Sequence, residues 1–257
     1  MKFCKMNGLG NDYIYIDIRK ESFLPSTDNI VKLCDRHFGV GGDGVVLIAS
    51  SANADATMII YNKDGSRAEI CGNALRSIGR YLYDNSSDKS NVLFIETDVG
   101  IKRVFIKDNG AITGVELGKV FLKGKHSIDI DDRSYDFYNV DVGNPHAVTF
   151  DEDFDIDKYG AVIASHEAYP LGTNVEKVAL AARDKLIVEV YERGTGITLA
   201  CGTGAAAAAF CAMSLCAVEN ETTVVLPGGE LTVKYADDEI YIEGKVEYNY
   251  YGETYLC

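Results

Sequence analysis

Two of the seven cysteines in this 257-residue chain are placed to do chemistry. In Cys71-Gly72-Asn73-Ala74 and Cys201-Gly202-Thr203-Gly204, a thiol follows a polar loop and opens a helix. Unpaired backbone N–H groups and the positive end of the helix dipole favour thiolate there and lower its pKa. Gly72 and Gly202 let another group approach the backbone closely. Either cysteine alone is equally well read as a structural helix-start residue, but a matched pair asks for a reaction with two thiols. Moving a proton from one face of a tetrahedral carbon to the other is such a reaction, because a base must stand on one side and an acid on the opposite side. If that carbon adjoins a carboxylate, the carbanion charge spreads into the carboxylate oxygens, and two helix N-termini aimed at them stabilise it. Cys4, Cys34, Cys211, Cys216 and Cys257 lack such neighbours and read as small buried or incidental thiols.

Other motifs fail on context. Gly39-Val40-Gly41-Gly42-Asp43-Gly44 spells the dinucleotide fingerprint, but a helical stretch precedes it and strand Val45 to Ile48 follows, the reverse of the order that brings a helix N-terminus to a pyrophosphate. A helix-to-strand turn using left-handed glycines is expected instead. Asp151, Asp153, Asp155 and Asp157 alternate like a calcium loop, yet Lys158 stands where glycine is required and Ala164 where glutamate is. They read as a solvated acidic turn leading into a helix. Histidines 37, 126, 146 and 166 show no zinc-ligand spacing, so no metal site is expected.

The elements that position the thiols repeat. Asn11, after Gly10, precedes Cys71 by 60 residues, and Asn144, after Gly143, precedes Cys201 by 57. Tyr61 and Tyr191 each close an apolar run ten residues before their cysteine, and Gly100 and Gly229 follow by 29 and 28 residues. This order implies a duplication into an N-terminal lobe, residues 1–117 with 246–257, and a C-terminal lobe, 118–245. Period-two runs at Tyr13–Ile18, Val45–Ile48, Lys102–Ile106, Lys185–Tyr191 and Leu231–Tyr235 predict strands. Leu75, Ile78 and Leu82 share a helix face, and a helix from Gly204 to Val218, apolar all round, must be enclosed. The expected fold is α+β: two pseudo-symmetric lobes, each a mostly antiparallel sheet or barrel around a central helix, with the active site in the cleft between them.

Composition narrows the function. Lys and Arg number 25 against 39 Asp and Glu, a formal charge of −14, which disfavours nucleic acid and anionic membrane as partners. The N-terminus lacks a signal-peptide core, and an odd cysteine count in a chain without one implies reduced thiols and a cytoplasmic setting. The uncharged stretch from Ile197 to Val218 fails as a membrane span, since glycines interrupt it and alanines contribute little apolar surface.

Met6-Asn7-Gly8-Leu9-Gly10-Asn11-Asp12, Tyr61-Asn62-Lys63-Asp64-Gly65-Ser66, Cys71-Gly72-Asn73, Gly143-Asn144-Pro145-His146, Gly172-Thr173-Asn174-Val175, Tyr191-Glu192-Arg193-Gly194, Ala200-Cys201-Gly202-Thr203-Gly204 and Leu226-Pro227-Gly228-Gly229 run nearly end to end. Through them the sequence resembles the diaminopimelate epimerases, isomerases of lysine and peptidoglycan precursor synthesis that use no pyridoxal phosphate. The resemblance implies epimerisation of LL-diaminopimelate to the meso isomer, with no cofactor and no metal, by a chain whose relatives tend to form homodimers. It implies Cys71 and Cys201 as the exchanging acid and base, with His146 and Glu192 orienting substrate and setting which thiol is ionised. Backbone N–H groups of Gly72, Asn73, Gly202 and Thr203 would receive the reacting carboxylate. Asn62, Asn144, Asn174 and Arg193 would hold the distal amino-acid end, with Asn11 and Glu192 also lining the site. Ala74, Gly44, Ser77 and Ile197 depart from residues common in the family, given there as glycine, glutamine, cysteine and glutamate.

Three other readings compete. A racemase of the same fold acting on another amino acid would not need all of Asn62, Asn144, Asn174 and Arg193. A cysteine hydrolase built on Cys71, His146 and Asn144 leaves Cys201 unexplained. A redox switch would join Cys71 and Cys201 in a reversible disulfide.

Overall fold

The computed structural model describes residues 1–23 and 25–255; Cys257 lies outside the described residues. The chain divides into two compact units, Met1–Val115 with the segment from Gly244 onward, and Glu116–Glu243. Strands β1 (Lys2–Gly8), β2 (Asn11–Asp17), β3 (Gly44–Ala49), β4 (Ala56–Asn62), β5 (Arg67–Ala68), β6 (Val92–Thr97), β7 (Gly100–Lys107) and β8 (Ile112–Gly118) come first, with helices α1 (Thr27–Cys34) and α2 (Gly72–Asn85). Then follow β9 (Phe121–Ile130), β10 (Arg133–Asp141), β11 (Pro145–Thr149), β12 (Asn174–Ala182), β13 (Lys185–Glu192), β14 (Gly196–Ile197), β15 (Glu221–Leu226), β16 (Gly229–Ala236) and β17 (Glu239–Lys245), with α3 (Ile156–Ala164) and α4 (Gly202–Ser214). Strand β18 (Glu247–Glu253) returns to pair with β1.

Both units are wired alike. In the first, the ladder runs β18-β1-β2-β3-β4-β6-β7-β8, antiparallel apart from β2–β3 and β4–β6 among the described residues. In the second it runs β9-β10-β11-β12-β13-β15-β16-β17, parallel at β11–β12 and β13–β15. Each parallel step is a crossover through a helix, as parallel pairing requires. The mostly antiparallel α+β units expected from periodicity are therefore present, each with a central helix.

Side chains alternate across a strand, so each sheet feeds two cores. Ile14, Ile16, Val45 and Leu47 pack with Ile30 and Leu33 of α1, and Ala147 and Val175 pack with Ile156 and Ile163 of α3. The intervening positions, Tyr13, Val46, His146 and Glu176, are buried on the opposite face. Helix α2 buries far more than the one face its periodicity predicts, from Asn73 through Gly79 without a break. Helix α4 is enclosed as expected, but it begins at Gly202 and stops at Ser214, short of Val218. Cys216 adopts φ +57° there, and the N–H groups of Cys216 and Ala217 bond to Met213 and Ala212 carbonyls at 2.9 Å. That is a Schellman closure, hidden in the sequence because cysteine occupies the position glycine normally marks.

The glycine-rich segment turns α1 into β3, with Gly41 at φ +81°. N–H groups of Gly39, Val40, Gly41 and Gly42 bond to carbonyls of Asp35, Leu33 and Cys34. Donors that a phosphate would need are thus consumed by the end of α1. Asp155 caps α3 by accepting from Lys158 N at 3.0 Å, while Asp151 and Asp153 pair with Arg133, the acidic turn the sequence implies. Among the described residues, no helix is long and apolar enough to cross a membrane.

Candidate active site

In the first unit, Cys71 is the N-cap of α2, extended at φ −144° and ψ 119°, and its sulfur does not cap its own helix. Sγ instead lies 3.6 Å from Oδ1 of Asn11, which also accepts from Asn73 Nδ2 at 3.4 Å. Charged groups dictate how both amides point. Asn11 Nδ2 donates to the Asp43 carboxylate at 3.1 Å, and Asn73 Oδ1 accepts from the Arg76 guanidinium at 2.8 Å. A carboxylate only accepts and a guanidinium only donates, so neither amide can be turned over without losing its bond. Asp43 is held by Arg36 at 3.0 Å; Arg36 and Lys5 also pair with Asp12 at 2.6 and 2.7 Å. Burial works against the Asp12 charge, but bonds to Arg36 and Lys5 hold its carboxyl below the usual range.

Arg76 is fully buried and donates also to the Lys245 carbonyl at 3.2 Å. Burial lowers its pKa to about 10, opposed by the nearby Cys71 and Tyr15. Burial, with Cys71 beside it, pushes the Tyr13 phenol up. Asn62 is exposed at the end of β4, where its amide donates to Ser66 Oγ at 3.0 Å across a turn. Gly44 is obligatory: a Cβ would stand 2.2 Å from the Tyr61 carbonyl oxygen and 2.7 Å from the Tyr13 ring.

In the second unit, Cys201 caps α4, its sulfur accepting from Gly204 N at 3.3 Å and lying 3.5 Å from Thr203 Oγ1. Gly202 and Thr203, as first-turn residues, have N–H groups with no intrahelical acceptor. The lowered thiol pKa expected at this helix start does not hold for Cys201. Burial, then the Glu192 and Glu176 carboxylates, push the thiol well above its ordinary value, outweighing the Thr203 and Gly204 bonds. Glu192 is itself raised, by burial first and by Glu176, against hydrogen bonds from Thr198 and Cys201.

His146 is buried, with Nδ1 2.7 Å from Glu176 Oε1 and Nε2 3.1 Å from Asn144 Oδ1. Asn174 braces the backbone, accepting from Arg193 N at 3.0 Å and donating to the Pro145 carbonyl at 3.1 Å. Arg193 is exposed and bonds to the Leu171 carbonyl. Asn11, Cys71 and Asn73 are thus gathered in one unit, and Asn144, His146, Asn174, Glu192, Cys201 and Thr203 in the other. Sequence reasoning passed over Asp43, Arg76 and Glu176. Glu176 carried a signal, a charge that strand alternation sets on the same face as Val178; Asp43 lies in the bend before β3 and Arg76 lies off the face of Leu75, Ile78 and Leu82, so neither was marked by its spacing.

A family model described as diaminopimelate epimerase matches residues 3–123 and 138–249. The chain is 38% identical over 275 aligned positions to a diaminopimelate epimerase of Desulfitobacterium hafniense, covering 98% of this chain and 97% of that one. It is 39% identical over 274 positions to one from Methanococcus maripaludis, covering 98% and 99%. Among solved structures, a Bacillus anthracis phenazine biosynthesis protein of the PhzF family superposes with TM-score 0.74 at 15% identity, covering 99% and 98%. A hydroxyproline epimerase from Agrobacterium vitis, with bound trans-4-hydroxy-L-proline, gives 0.72 at 13%, covering 98% and 91%. Those two share the fold, whereas the family model matches most of the chain and the sequence relatives match it end to end, and on that ground the chain belongs to the diaminopimelate epimerase family.

Proposed function

We propose that this protein converts LL-2,6-diaminopimelate to the meso isomer by a two-base proton transfer at one α-carbon, with Cys71 and Cys201 as the proton-transfer groups. The observation that carries the two-thiol reading is positional equivalence: each cysteine is the N-cap of the central helix of its unit, four residues after the short-strand residue, Arg67 or Ile197, that pairs with Tyr61 or Tyr191. One thiolate removes the α-hydrogen, and the other thiol delivers a proton to the opposite face. First-turn N–H groups of Gly72, Asn73, Gly202 and Thr203 receive the adjoining carboxylate, where charge develops as the C–H bond breaks. Exposed Arg193 offers a charge-assisted bond to the distal carboxylate, with Asn62 and Asn144 available to its ammonium. The commitments of Asn174 support a role in shaping the Arg193 backbone beside any contact to substrate.

The cytoplasm is the compartment for this chemistry, and a homodimer is the assembly to look for by sedimentation. The test is incubation with LL-diaminopimelate in D2O under reducing conditions, followed by chiral analysis and mass. Meso product carrying one deuterium at an α-carbon is expected, and Cys71→Ser or Cys201→Ser should each abolish its formation. Stereoinversion near the wild-type rate in either variant would sink the two-thiol reading, and inert LL-diaminopimelate would sink the substrate.

A further inference from the structure

The two units differ sharply beneath their thiols. Tyr13 pairs with Gly44 and Tyr15 with Val46 across β2–β3, while His146 pairs with Asn174 and Val148 with Glu176 across β11–β12. Val46 therefore occupies the place of Glu176, Tyr13 that of His146, and Ala74, third residue after Cys71, that of Gly204. Glu176 is fully buried, and its Oε2 has no hydrogen-bond partner among the described residues. A Cβ at Gly204 would lie 2.7 Å from Glu176 Oε1 and 3.3 Å from Cys201 Sγ. The carboxylate thus rests against the first turn of α4, beside the thiol, and only glycine admits it. A buried, half-satisfied carboxylate is unfavourable for folding, and the first unit does without one.

We propose that Glu176 is a positioning residue for proton transfer: by its buried charge and its bond to His146 it keeps the proton on Cys201 in the substrate-free enzyme, so that Cys201 enters the cycle as the acid. This rests on the two-thiol reading. The α-hydrogen goes to the Cys71 thiolate and forms its S–H bond. The electron pair left on carbon takes the proton of Cys201, whose S–H electrons stay on sulfur. Groups facing Cys201 are Glu192 from β13, Glu176 from β12 and Thr203 and the Gly204 N–H on its own helix, with His146 from β11 bonded to Glu176 behind them. The upward push on the thiol from burial and from both carboxylates agrees with this assignment.

The experiment is iodoacetamide alkylation followed across neutral to alkaline pH, with peptide mass spectrometry reading Cys201 and Cys71 separately in wild type, Glu176→Gln and Glu176→Asp. Glu176→Gln should move the Cys201 midpoint down by about one unit, a tenfold rise in thiolate at a fixed pH below it. Glu176→Asp should keep the wild-type midpoint, and Cys71 should not move in either. A Cys201 midpoint unmoved in folded Glu176→Gln overturns the proposal, as does equal movement at both thiols, the signature of general loosening. If Glu176→Gln does not fold, Glu176→Val with Gly204→Ala, which copies Val46 and Ala74, carries the same reading and must lower the Cys201 midpoint. Alkylation needs no turnover, so persistence of stereoinversion in Cys201→Ser would fail the two-thiol reading while leaving this result to stand or fall alone.

Discussion

Gly204→Ala should destabilise the protein, although alanine in a helix is ordinarily worth up to about 1 kcal/mol over glycine. Gly204 has no positive φ, so backbone conformation does not decide the sign. Contact does. The new Cβ would stand 2.7 Å from Glu176 Oε1, roughly 0.7 Å inside an ordinary carbon–oxygen contact of about 3.4 Å. The carboxylate cannot retreat freely, because it is fully buried and bonded to His146 at 2.7 Å. Overpacking of this kind costs about 1–3 kcal/mol. Set against the full propensity gain, a net loss of up to about 2 kcal/mol remains, lowering the melting temperature by up to about 8 °C for a chain of this size. Scanning calorimetry of Gly204→Ala, Glu176→Val and the double variant gives the coupling between the two positions, expected to be favourable by about 1 kcal/mol or more. Activity should fall in the single variant, since Cys201 Sγ lies 3.3 Å from the same Cβ. A melting temperature equal to or above wild type in Gly204→Ala, or a coupling of zero, would refute the account of why glycine stands there.

Arg76→Met should leave stability within about 3 kcal/mol of wild type in urea unfolding. A guanidinium whose pKa falls from 12.5 to about 10 burdens the fold by about 3 kcal/mol, while removing it orphans the Asn73 and Lys245 oxygens at about 1–3 kcal/mol each. Turnover should nonetheless drop, because only the 3.4 Å bond to Asn11 then holds the Asn73 amide in its orientation; full activity with collapsed stability would contradict this. Glu192→Gln should raise the melting temperature at neutral pH and leave it unchanged at pH below the ordinary glutamate range. The folded pKa of Glu192 is raised, so its favourable contribution is present below the unfolded value and lost as pH rises through the folded one. Thermal scans at the two pH values check the sign. Asp12→Asn should cost stability at neutral pH but little in acid, because a depressed carboxylate stabilises only above its unfolded pKa and that contribution is lost as pH falls through the folded value. Equal losses at both pH values would show that the ion pairs with Lys5 and Arg36 are not its source.

Much of this was legible without coordinates. The ordered spacing of Asn11, Tyr61 and Cys71 against Asn144, Tyr191 and Cys201 determined that the chain is a duplicated α+β protein with one thiol per copy, because side-chain period and helix-start chemistry are local properties. Strand alternation determined which of their residues face the interior. The helix end at Ser214 was missed because a left-handed Cys216 replaces the glycine signal. What only the tertiary structure decided is the chemical state of the site. Asn11 and Asn73 are oriented by Asp43 and Arg76, distant from them in sequence or placed a helical turn away, and Cys201 is pushed up by Glu176 and Glu192 from two different strands. Helix position alone predicts an acidified thiol, yet burial and neighbouring charge act through space at distances the sequence does not contain, and at Cys201 they outweigh the helix.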